Sequence, residues 1–430
     1  MKRCNTDRRT LLLGLLSLGV ASAARAETPP AAIKSAPQPA RKFAPDLQAR
    51  LNDYFGEQVG TGKIPGAIAM VQQHGRPVYF EAFGRRDAGN PMQPDAMFRL
   101  YSMSKPITSV VVMMLVEEGR LRLDDPLSTY IPAFAKTRVG IDRAGGDEHA
   151  TSEFVALNRP ITIEDLLRHT SGITYGFYGN DPARRRYSRL DMFDSSDIDN
   201  AELAERIARL PLAEQPGTLW DYGHSTDVLG RVIEVISGQP LSAFLKARLF
   251  DPLGMNDTSF YVTDEQKRPR IAEPFAGDRM LGPVVGMHDP LDIKRWEAGG
   301  SGLIGTISDY ARFAQMLLNR GTLDGRRYLK PETIALMTSD HVGPGSGVKR
   351  DYYYFPGDGS GFGYGFAVRT KELASEPGPV GEYRWDGVGG TFFWIDPVDD
   401  MFVIVMMQAP SQRSPVEGAV RKIVYGALTN

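Results

Sequence analysis

The stretch that most restricts how this chain can fold is Ile107–Val116, ITSVVVMMLV, which carries no charge and is apolar on nearly every side of a helix. A surface helix shows an apolar stripe and a polar face, whereas one apolar all round must be buried. The chain therefore needs packed structure on every side of this helix. Pro106, just before the run, fits only near the first turn, where its missing N–H is not needed. Gly119 marks the stop.

What surrounds the helix is legible from periodicity. Asp46–Gly56 has helical spacing. Gly66–Gln73 and Pro77–Gly84 read as two strands of a hairpin turning at residues 74–76. From Leu121 to about Pro290 the pattern is helical and loop-like, with helices expected at Ile163–Leu167, Ala201–Arg209, Asp227–Ile236 and Ser242–Leu249. Thr137–Pro160 reads as a polar surface loop. Further on, Ser308–Leu318, Pro331–Met337 and Val416–Leu428 read as helices. Tyr364–Arg369, Gly381–Trp385, Thr391–Ile395 and Phe402–Gln408 read as strands at hairpin intervals, which implies antiparallel pairing. The fold class expected is α/β in the α+β sense: a central antiparallel sheet flanked by helices, with an inserted all-α domain. Residues 43–120 and 291–430 form the sheet domain, and residues 121–290 form the insertion. The buried helix lies where the two meet, a usual place for a cleft.

The first 26 residues read as a targeting segment: Lys2, Arg3, Arg8 and Arg9, an apolar Leu11–Ala24 too short to span a bilayer, and an Ala24-Arg25-Ala26 cleavage site. The twin arginines of TDRRTLLLG fit a Tat signal, and Sec signals also carry paired arginines. Residues 27–42, rich in Pro and Ala, read as a flexible leader. An exported protein, periplasmic or secreted, with no stable membrane anchor after cleavage, is expected. The only cysteine, Cys4, goes with the signal, so disulfides and Cys-based catalysis are excluded for the remainder. The formal charge of −2, with no basic stripe, disfavours nucleic acid as a partner.

Ser102-Met103-Ser104-Lys105 opens the buried helix. Residues i and i+3 share a helix face, so Lys105 can reach back over Ser102. The helix N-terminus favours a developing negative charge there. The same residues also fit a plain N-cap serine followed by a surface lysine. A second Ser-x-x-Lys, Ser346–Lys349, lies in the Gly-rich HVGPGSGVKRD and reads as a solvated loop. A lysine base with an ordinary pKa of roughly 10.4 needs burial or a partner to work near neutrality. Tyr222, in WDYGHS before an amphipathic helix, can supply a phenol. Gly300-x-Gly302-x-x-Gly305 matches a dinucleotide fingerprint without a strand before it, and reads as a tight turn into the Ser308 helix. No G-x-S-x-G elbow and no H-E-x-x-H spacing occurs, which argues against an α/β-hydrolase and a metal hydrolase.

These motifs, with EEGRLRLDDPLSTYIPAF, ITIEDLLRHTSGITYG, DVLGRVIEVISGQPLSAFL, DPLGMNDT, GGSGLIGTISDYARFAQMLLN and GGTFFWIDP, resemble the serine β-lactamase and penicillin-binding-protein superfamily. The resemblance covers nearly the whole chain after the signal and is nearest to the class C-related branch that includes family VIII carboxylesterases. It implies Ser102 as nucleophile, Lys105 as its base and Tyr222 as proton relay. It implies an oxyanion hole from the backbone N–H groups of Ser102 and Val388. It places the third motif at Trp385-Asp386-Gly387, where β-lactamases have Lys-Thr-Gly. Without that lysine, and with acidic Asp386, carboxylate binding is not expected there, and esters are favoured over β-lactams. His224 stands where β-lactamases often have Asn and is a candidate substrate contact. No cofactor or metal is implied. The partner expected is a small-molecule ester or amide, with no expectation for the oligomeric state. A D-amino-acid amidase, DD-peptidase or weak β-lactamase, and a non-catalytic penicillin-recognising binding protein, stay open as alternatives.

Overall fold

A computed structural model of the chain describes residues 41–142, 152–179, 183–187, 197–279 and 287–429. The expected signal segment and most of the leader lie outside the described residues. The last two leader residues are already part of the fold. Lys42–Phe43 pairs with Leu428–Thr429, and the Arg41 guanidinium lies 2.5 Å from the Asp399 carboxylate.

Helix α1 (Leu47–Gly60) buries Leu47, Leu51 and Phe55, four residues apart on one stripe. Strands β1 (Gly66–Gln73) and β2 (Arg76–Gly84) form the expected hairpin. A 3₁₀ turn, Tyr101–Met103, leads into α2 (Ser104–Glu117), whose residues from Ser104 to Leu115 are all buried. Pro106 falls in the first turn, and Gly119 takes the left-handed conformation (φ 68°) that ends the helix. Next come α3 (Ile163–Leu167), closed at its start by a Thr162–Asp165 capping box, then α4 (Asn200–Ala208), α5 (Ser225–Ser237) and α6 (Leu241–Leu245). The C-terminal part contributes α7 (Ile307–Leu318), α8 (Pro331–Met337), β3 (Ser360–Phe362), β4 (Ala367–Arg369), β5 (Tyr383–Asp386), β6 (Phe392–Asp396), β7 (Met401–Met407) and α9 (Arg413–Tyr425).

The seven strands form one sheet in the order β3-β4-β5-β6-β7-β1-β2, antiparallel throughout. Both chain ends therefore build it, as expected. Strand β7 explains why it is covered on both faces. Met401, Val403, Val405 and Met407 enter the core beneath α1 and α9, while Phe402, Ile404 and Met406 enter the larger core around α2. That alternation has the two-residue period of a strand, with both sets of side chains apolar.

One expectation needs correction. Thr137–Pro160 is not only a polar loop: Val139–Asp142 and Ser152–Val155 pair as an antiparallel hairpin, and Val139 is buried. Each arm is four residues long, too short for its alternation to stand out from a polar background. Strand β3 is also absent from the expected elements, because GDGSGFG carries the composition of a turn, and the strand expected from Tyr364 begins only at Ala367.

Candidate active site

The chain enters α2 through Tyr101, a buried residue held at φ 46°, where L side chains are strained. That kink delivers Ser102 to the wall of a cavity of about 470 Å³ while Lys105 turns inward. Lys105 is 1% exposed and its Nζ has three partners: Ser102 Oγ at 3.2 Å, Tyr175 OH at 3.3 Å and the carbonyl oxygen of Gly300 at 2.9 Å. The carbonyl can only accept, so one N–H is committed to it. A neutral lysine then has a lone pair to turn toward Ser102 or Tyr175. Burial brings the Lys105 pKa down to about 8, against the opposing pull of Asp227 and Asp386.

Tyr222 stands opposite, its ring centroid 4.5 Å from Lys105 Nζ. Its phenol oxygen accepts from Trp385 Nε1 at 3.2 Å and is hydrogen-bonded with Ser102. Burial pushes its pKa up, and those two hydrogen bonds oppose the rise. The tyrosine is held from below by His169, with ring centroids 4.9 Å apart, and by Trp220 stacked at 5.9 Å. Gly223 permits this placement, since a Cβ there would meet the carbonyl oxygen of Ile173 at 2.3 Å.

The other residues singled out from sequence divide into two groups. Trp385, Asp386 and Val388 line the cavity. Gly387 does not; its N–H bonds the Thr391 carbonyl, and a Cβ would strike the carbonyl oxygen of Leu100 at 2.3 Å, so its role is to let β5 lie against the approach to Ser102. His224 is 1% exposed, faces Asp227 with Nδ1 at 2.9 Å from Oδ2, and packs its ring edge-on against Tyr175 rather than lining the cavity. Asp386 pairs with Arg413 at 2.5 Å, so the acidic character expected of this stretch is neutralised. Ser346 and Lys349 are both exposed and not in contact with the cavity. Lys349 is nevertheless fixed, since Lys349–Arg350 pairs with Leu219–Trp220 just before Tyr222.

Sequence reasoning missed Tyr175, Gly300, Asp227 and Arg413. The GGSG segment does turn into α7, where Thr306 caps the helix, but its larger role is to bring the Gly300 carbonyl to Lys105. Asp227 holds that peptide from behind, accepting from Gly300 N–H at 2.9 Å. Tyr175 lies in the quoted ITYG, and a phenol beside a glycine was the only signal available.

Comparison with known proteins places this arrangement. Residues 51–425 match the family description Beta-lactamase. The chain is 38% identical to Protein Rv1367c of Mycobacterium tuberculosis, over 82% of this chain and 88% of that one. It is 32% identical to Esterase EstB of Burkholderia gladioli, over 89% and 96% of the two chains. The solved structure of EstCE1, titled a hydrolase with promiscuous acyltransferase activity, superposes with a TM-score of 0.74 at 28% identity, covering 89% of this chain and 99% of that one. A family match across most of the length, with relatives above 30% identity, means that this chain belongs to the β-lactamase family.

Proposed function

We propose that this protein is an exported serine carboxylesterase that hydrolyses small to medium carboxylic esters through an acyl-enzyme on Ser102. The observation that carries the reading is the buried Lys105 amine, 3.2 Å from Ser102 Oγ, with its pKa brought down to about 8. The likeness to EstB, an esterase, and to EstCE1, a hydrolase, supports the choice of reaction class.

In the proposed cycle Ser102 Oγ attacks the ester carbonyl and neutral Lys105 takes its proton. The backbone N–H groups of Ser102 and Val388 hold the oxyanion. Tyr222, whose oxygen already accepts from Trp385, passes its own proton to the departing alkoxide and is reprotonated from Lys105. Water then enters the same machinery and releases the acid. The preference for esters rests on Trp385, an apolar side chain tied to Tyr222 where a β-lactamase has a lysine. Export belongs to the same proposal and rests on the charged and apolar blocks of residues 1–26. Recovery of a chain beginning at Glu27 outside the cytoplasm, read by intact mass, tests it.

The activity test sets short-chain p-nitrophenyl esters beside nitrocefin and D-Ala-D-Ala peptides, with Ser102→Ala as control. Ester turnover by the parent and not the variant is expected. Equal rates for both would displace Ser102, and nitrocefin turnover far above every ester would displace the esterase reading. Turnover of nothing, without an acyl adduct on Ser102, would leave a binding protein.

A further inference from the structure

The far end of the cavity is built from charge rather than from aromatic rings. Arg413, Glu417 and Arg421 are spaced four apart on α9 and all line it, so the helix carries the wall about 12 Å beyond Arg413. Arg384 of β5, and Glu376 on the loop between β4 and β5, complete this end. Arg369 of β4 stands behind them. One atom, Glu376 Oε1, lies 2.9 Å from Arg369 Nη2, 3.2 Å from Arg384 Nη2 and 3.6 Å from Arg421 Nε. The three arginine side chains are 0%, 10% and 1% exposed, and Glu376 is 33% exposed.

Two of the other carboxylates nearby have their own attachments, and Glu417 faces the same arginines without a direct pairing. Glu382 accepts from Arg421 Nη2 and from Tyr425 OH, and Asp386 is paired with Arg413. The arginines still have donors to spare. Arg384 Nη1, Arg421 Nη1, and Nε and Nη1 of Arg369 are buried without a hydrogen-bond partner, while Arg369 Nη2 and Arg421 Nε meet Glu376 as ion pairs without hydrogen-bond geometry. Unpaired buried donors are destabilising, and a guanidinium fork suits a carboxylate taken on two nitrogens at once. Among the described residues around these arginines, Glu376 is the partner on a loop, able to leave without unpacking a strand or a helix. Replacing its carboxylate with another keeps the net charge of the cluster unchanged, so no new charge has to be buried alone.

We propose that Arg369, Arg384 and Arg421 form a carboxylate-binding subsite for the remote acid end of an ester substrate, and that Glu376 is the internal occupant that the substrate's carboxylate replaces. The proposal deepens the esterase reading and rests on it. The substrate class becomes esters with a free carboxylate distant from the scissile carbonyl, such as half-esters of dicarboxylic acids.

The test compares p-nitrophenyl half-esters of dicarboxylic acids of increasing length with the p-nitrophenyl esters of the matching monocarboxylic acids. At one length the half-ester should exceed its neutral partner in kcat/KM by about tenfold, mainly through KM. Glu376→Ala should raise that ratio several-fold, and Arg384→Gln should bring it back to near one. A second arm needs no turnover: adipate titrated calorimetrically into Ser102→Ala protein should bind, and about tenfold more tightly when Glu376→Ala is added. Hydrolysis of neutral esters with no preference for a half-ester at any length, and no response to Glu376→Ala, would overturn the subsite and leave the esterase reading standing. If no ester of either kind is hydrolysed, the esterase reading falls, and failure of adipate to bind then overturns the subsite as well.

Discussion

Ser102–Lys105 and Ser346–Lys349 have the same spacing and opposite surroundings. The first lysine is 1% exposed at the start of a helix buried on all sides, and its amine touches a hydroxyl, a phenol and a carbonyl. The second sits on an exposed two-residue pairing, while its serine bonds the Gly343 carbonyl and the Val348 N–H within its own turn. Four residues of sequence therefore do not set the state of the lysine. Removing water from it does, because desolvation disfavours the ammonium and brings the Lys105 pKa down to about 8.

The comparison breaks most cleanly at the hydroxyls. Ser102→Ala should lower kcat/KM for a p-nitrophenyl ester by at least about 10³-fold, and Ser346→Ala by less than about twofold. Comparable losses in both would erase the distinction. Next come the bases: Lys105→Met should cost about 10²–10⁴-fold in kcat, and Lys349→Met nothing measurable. Tyr222→Phe should cost about 10²-fold in kcat with an unchanged fold by circular dichroism, since ring packing against His169 and Trp220 survives.

The pH dependence sharpens the same contrast. In the folded protein Lys105 loses its proton at about 8 rather than at its ordinary 10.5, so kcat/KM should rise with pH to a plateau around that value. Asp227 raises this pKa, and Asp227→Asn should move the rising limb toward lower pH by a fraction of a unit. Stability follows with a definite sign. Between those two pKa values the unfolded chain holds a proton that the folded one lacks, so stability rises with pH through that window. Below it the full cost of the buried ammonium remains, up to roughly 3 kcal/mol. Lys105→Met should accordingly raise Tm by a few degrees at neutral pH while lowering kcat as above, and Lys349→Met should leave Tm unchanged.

What could be read in advance follows the same division. Helix α2, the β1–β2 hairpin and the closely spaced C-terminal strands were legible because each shows its period over an unbroken run. That Ser102, Lys105 and Tyr222 meet was legible because each sits beside a feature that fixes its local frame. The Lys105 contacts to Tyr175 and Gly300 were not, since they join residues 70 and 195 positions apart and leave no local trace. The charge of the third motif was misjudged for that reason: Asp386 looked acidic in its own segment, and Arg413 reaches it from 27 residues later. His224 drew attention by its place after Tyr222, yet its closest polar partner is Asp227, one helical turn along.

The place of β1 in the sheet has a consequence during synthesis. Its long partner is β7, with Gln73 opposite Met401, so the middle of the sheet joins segments from the two ends of the chain. At ribosomal speeds the interval between making the two is on the order of tens of seconds. Throughout it, the apolar edge of the first hairpin has nothing to pair with and is a site for aggregation or chaperone capture. Contacts of such long sequence separation also slow the search for the native state. Loss of the last strand and helix would thus not yield a trimmed enzyme: Ser102 would sit on a helix whose enclosing sheet could never close.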